Sequence, residues 1–92
     1  MRGLRTAEYD STEELRNTWR AVMLEGLPGH DRDETWRLID SCGATAVGAM
    51  AAGVPEEYIP LVSVRAMADP SSYSGNAGLD GLRAGLEFLG AN

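Results

Sequence analysis

Between Asp40 and Glu56 the chain carries no charged side chain, and the run SCGATAVGAMAAGVP, residues 41–55, is built almost wholly of small residues. A helix without a polar face has to be surrounded by protein, so this segment demands a central position. Ala44, Gly48 and Ala52 recur every four residues, and Thr45, Ala49 and Gly53 form the adjacent row. Rows at that spacing stack on one helix surface. They leave a shallow groove into which a second helix can pack closely, with many short contacts in place of a few large ones. The segment therefore predicts an all-α domain organised around a buried small-residue helix.

The flanking sequence supplies partners for that helix. Residues 1–10 read as an N-terminal arm, and residues 11–92 as a single helical domain. Ser11 and Glu14 have the spacing of a capping box. Leu15, Trp19, Val22, Met23 and Gly26 then share one helix face, and Gly26 with Pro28 ends the helix. Asp31 and Glu34 repeat the capping logic, followed by Trp36, Ile39, Ala46, Val47 and Met50 near helical spacing. These predict one helix from about residue 32 to Ala52, with Gly53 past its end. Pro60 would break a helix interior, so a short turn is expected at 55–59, then a helix from about Pro60 to before Pro70. A strand over 59–64 is the alternative, because Ile59, Val62 and Val64 are β-branched. Asn76 can cap a last helix in which Leu79, Leu82, Leu86 and Leu89 form a seam. Gly78, Gly81 and Gly85 weaken that helix in isolation, so packing must hold it. The sum is a small bundle of about four helices.

Composition narrows the partners. The net charge is −6, which disfavours nucleic acid, and the acidic residues are dispersed along the chain. Every basic residue is arginine; with the many Ala and Gly this is the composition of a GC-rich bacterial or phage gene. No secretory leader is read at the N-terminus and no run is long enough to span a membrane, so a cytoplasmic location is expected. A domain of this size buries only about 60–65% of its unfolded surface, which makes a partner or a second copy of the chain a natural source of further burial.

Little in the sequence carries chemistry. Cys42 is the only cysteine and His30 the only histidine, so intramolecular disulfides, Cys-x-x-Cys sites and His-His metal sites are excluded. A thiol nucleophile at Cys42 would depend on His30 as base, with Asp40 to orient it, yet His30 reads as a loop residue and Cys42 as part of a helix. The acidic cluster at 31–34 lacks the spacing of a calcium loop and is explained by helix capping. The glycines of SYSGNAGLDG fit neither phosphate-binding pattern. No cofactor and no metal are implied.

Three resemblances attach to particular residues. AMAAGVPEEYIPLV, with Ala49, Gly53, Val54, Ile59 and Val62, resembles a helix-turn-helix, although Glu56, Glu57 and Pro60 stand in the second helix. Asp40-Ser41 resembles the attachment serine of acyl carrier proteins, which implies Ser41 at a helix start accepting a phosphopantetheine arm. The order of EELRNTWRAVMLEGLPGHDRDETWRLI, AMAAGVPEEYI and LDGLRAGLEFLG looks like the layout of carboxymuconolactone decarboxylase-type proteins. That layout implies an all-α oligomer, without the redox motif of that family here.

The reading that remains is a small acidic helical module for protein–protein interaction or assembly, without catalysis, binding a protein partner or itself as a homo-oligomer. Leu79, Leu82, Leu86 and Leu89 are the expected subunit interface. Ala44, Gly48 and Ala52 are the expected helix-packing row, and Ser41 and Cys42 the positions where a modification or reactive role would fall.

Overall fold

A computed structural model describes residues 12–68 and 76–91. The N-terminal arm and the Ser11 cap lie outside the described residues. Among the described residues the chain forms five α-helices and no strand: α1 (Thr12–Glu25), α2 (Arg32–Cys42), α3 (Ala44–Ala52), α4 (Ile59–Ala68) and α5 (Ala77–Ala91). A 3-10 turn, Glu56–Tyr58, leads into α4. The strand considered for 59–64 is a helix.

The helix boundaries follow local chemistry. Leu15 and Val22 on α1 are buried and Trp19 is partly buried against the same core. Gly26 takes φ +99° and donates its N–H to the Val22 carbonyl at 2.8 Å, closing the helix. Asp31 caps α2, its carboxylate accepting from Glu34 N at 2.8 Å. Asn76 does the same for α5, accepting from Leu79 N at 3.1 Å.

The expected long second helix is instead two helices, divided at Gly43. That residue has φ +96° and ψ 154°, a backbone region essentially reserved for glycine. Its N–H bonds back to the Ile39 carbonyl at 2.9 Å, and its own carbonyl accepts from Val47 N at 3.2 Å. One residue thus closes α2 and opens α3. The two pieces no longer share an axis, which leaves α3 free to lie against α5.

At the other end of α3, Gly53 in the left-handed region donates to the Met50 carbonyl at 2.9 Å, and Val54 donates to the Ala49 carbonyl at 3.2 Å. This is the hydrogen-bond pattern of a Schellman stop, and Pro55 follows. Pro60 occupies the first turn of α4, where a missing N–H breaks no helical hydrogen bond.

The pairing of α3 with α5 is the most extensive in the fold. It is a contact between backbones. A Cβ on Gly48 would sit 2.8 Å from Leu82 N and closer still to the Gly78 carbonyl oxygen. A Cβ on Gly81 would overlap the Thr45 carbonyl, and one on Gly85 would lie 2.8 Å from the Ala52 methyl. Gly81 and Gly85, which weaken α5 in isolation, are therefore what allow it to reach α3, while Gly78 makes room for the Trp19 indole of α1. Leu79, Leu82 and Leu86 are buried around this crossing, together with Val47, Ala49 and Ala52. No described helix is long and apolar enough to cross a membrane.

Candidate functional site

The leucine seam is taken up within the chain. Leu79, Leu82 and Leu86, expected at a subunit interface, are buried in the core of the chain, and Leu89 is half-buried against it. A residue already enclosed by its own protomer has no surface to give to another. Ala52 and Gly48 are buried against α5 and Ala44 is half-buried.

Ser41 and Cys42 stand in the last turn of α2, both exposed. The Ser41 hydroxyl donates to the Arg37 carbonyl at 3.0 Å and lies 3.7 Å from the Cys42 thiol. A phosphopantetheine-bearing serine of the carrier type would sit at a helix start, whereas Ser41 is at a helix end. His30 is exposed in the loop before α2, its Nδ1 3.4 Å from the Pro28 carbonyl oxygen. It lines a small cleft of about 220 Å³ with Ser41, while Cys42 faces a different groove. The structure therefore does not bring the thiol and the imidazole together in one cleft. Among the described residues no group of three or more His, Cys, Asp or Glu side chains could hold a metal ion.

What the structure does bring together is an apolar surface. Helix α4 buries Ile59, Val62 and Ala66 on its inner side. Its outer side presents Leu61, Val64 and Met67, which are 60%, 59% and 67% exposed. These three recur every third residue, so they share a face. Arg65 is the only charged residue of α4. Large contiguous apolar patches are uncommon on the surfaces of monomeric proteins.

Beside that face, between α4 and α3, runs a groove of about 560 Å³. Its walls include Cys42, Ala46 and Met50 on one side and Pro60, Ser63 and Val64 on the other. A second hollow of about 270 Å³ adjoins it across Met50 and Glu56, which line both. The Ser63 hydroxyl is buried and has no hydrogen-bond partner among the described residues. At the start of α4, Tyr58 rests on Phe88 of α5 with ring centroids 5.4 Å apart, which ties this end of the groove to the core.

Sequence reasoning passed over Leu61, Val64 and Met67 because it asked only whether this segment was helix or strand. The signal was present in IPLVSVRAMA, which is apolar on every side as a helix. In this chain the core covers only the Ile59, Val62 and Ala66 side of it. The same face counts against a DNA-reading second helix: it offers hydrophobic side chains, with Glu56 and Glu57 at its entry, where phosphates require cations. Comparison of the chain with protein-family models, curated proteins and solved structures finds no match.

Proposed function

We propose that this protein is a non-catalytic interaction module that docks a protein partner through the outer face of α4 and the groove it shares with α3. The observation that carries the reading is the exposure of Leu61, Val64 and Met67 on a helix whose opposite side is already in the core. Fully burying a Leu, Val or Met side chain contributes about 1.5–3 kcal/mol. Association costs about 4–15 kcal/mol in lost freedom and ordering. Three side chains alone barely offset that, so the groove walls must share the contact, and their continuity with the face makes this possible.

The test is photo-crosslinking in the expressing cell, with a benzophenone amino acid in place of Val64 and, as control, of Asp33, which is exposed in the first turn of α2. Position 64 is expected to give discrete adducts that disappear when Leu61→Asp is added. Adducts no more abundant at 64 than at 33 would sink the docking reading.

A further inference from the structure

Resting on the docking reading above, we infer that the partner seated on the outer face of α4 is a second copy of this chain, the two α4 helices lying antiparallel about a two-fold axis at Leu61.

The order of charge along the helix selects this occupant. Glu57 stands in the turn that leads into α4, and Leu61 and Arg65 follow at intervals of four, all three exposed. Residues at that spacing form one row on a helix surface. The row reads acid, apolar, base, with Leu61 at its middle. Turned end for end about Leu61, it matches itself. Arg65 of each copy then meets Glu57 of the partner subunit, and the two Leu61 side chains meet each other. A two-fold contact requires this self-complementarity, because the same patch serves both sides. A parallel pairing would set Glu57 against Glu57 and Arg65 against Arg65, which is repulsive. Neither charge is used inside the chain: among the described residues Glu57 and Arg65 form no ion pair.

The apolar side chains favour the same occupant. Among the described residues the large hydrophobic side chains that stay exposed are Leu24, Trp36, Tyr58, Leu61, Val64 and Met67, and the last four belong to α4 and its entry turn. A two-fold pairing doubles their number in one contact, against a single cost of association. Val64 also lines the groove, so the paired helix runs along the groove's edge. The net charge of −6 is dispersed along the chain. Charges separated by more than about 8 Å are largely screened at physiological ionic strength, which leaves the local order at α4 to set the contact.

The experiment is sedimentation equilibrium on the full chain and three variants, with helix content checked by circular dichroism. All three substituted positions are exposed, so the fold is expected to persist. The parent chain should dimerise. Leu61→Asp sets two carboxylates face to face at the axis and should weaken the dimer at least about tenfold. Arg65→Glu and Glu57→Arg each turn two attractions into two repulsions and should each weaken it at least about fivefold. Mixed in equal amounts, these two variants should associate to within about threefold of the parent, because both charge pairs are opposite again in the mixed dimer. An apolar contact indifferent to charge order does not give that pattern. In cells, the adduct at position 64 should have twice the mass of the chain.

A chain that stays monomeric up to its solubility limit would overturn the inference. So would a dimer unmoved by Leu61→Asp, or charge variants that associate no better mixed than alone. In each of those cases adducts of position 64 with another protein would leave the docking reading standing, and the absence of any adduct would remove both.

Discussion

Thr35 is the only polar side chain among the described residues that is wholly enclosed, at 0% exposure, and it acts as a clasp. Its hydroxyl donates to the Asp31 carbonyl at 2.9 Å and accepts from Leu27 N at 2.7 Å. The loop that carries buried Leu27 is thereby fastened to the first turn of α2. Thr35→Val keeps the shape and removes both bonds, leaving the Leu27 N–H buried and unpaired. The expected cost is about 1–3 kcal/mol in urea denaturation, with faster hydrogen exchange at the Leu27 amide. Thr35→Ser should recover most of the loss; a valine variant as stable as the parent would show that water replaces the clasp. The neighbouring Trp36, expected on the inner face, is 45% exposed, because burial of Thr35 rotates the helix by one residue. Hydrophobic spacing ranks the indole above the hydroxyl, and here a paired hydroxyl wins.

At the scale of elements, Gly43 decides where α2 stops. Its neighbours Cys42 and Ala44 are both compatible with helix, so nothing in the local pattern forbids a continuous rod from 32 to 52. The break becomes visible only once α3 has to meet α5. Gly43→Ala places a Cβ at φ +96°, which costs about 1–3 kcal/mol, while restoring helix propensity contributes only about 1 kcal/mol. The variant is expected to be destabilised, with a lower melting temperature by circular dichroism. A rise in both helix content and stability would mean that the straight helix is tolerated. Other boundaries are set locally: Asp31 and Asn76 supply their own caps, and Gly53 with Pro55 ends α3 by a motif readable from the residues alone.

The whole molecule hangs on the α3–α5 crossing, where glycines on both helices face the other's backbone. Gly48→Ala tests this most directly. Replacing glycine inside a helix ordinarily stabilises by about 1 kcal/mol. Here the new methyl would meet the Gly78 carbonyl and Leu82 N, and backbone cannot rotate away as a side chain can. Overpacking costs about 1–3 kcal/mol or more, so net destabilisation is expected in thermal melts, with Gly48→Leu failing to fold. A more stable alanine variant would show that the helices separate without penalty. The same crossing encloses Leu79, Leu82 and Leu86 of the leucine seam, while Leu61, Val64 and Met67 of α4 stay exposed.

The residues alone were sufficient for the all-helical class, for the burial of the small-residue segment and for most helix ends. Those depend on periodicity, caps and glycine stops, which act over one or two turns. Three matters depended on how distant segments meet. The division at Gly43, the enclosure of Leu79, Leu82 and Leu86, and the exposure of Leu61, Val64 and Met67 all follow from which helix α3 packs against. An apolar side chain records that it should be covered, but not by what. In this chain α5 covers α3, and the outer side of α4 stays exposed.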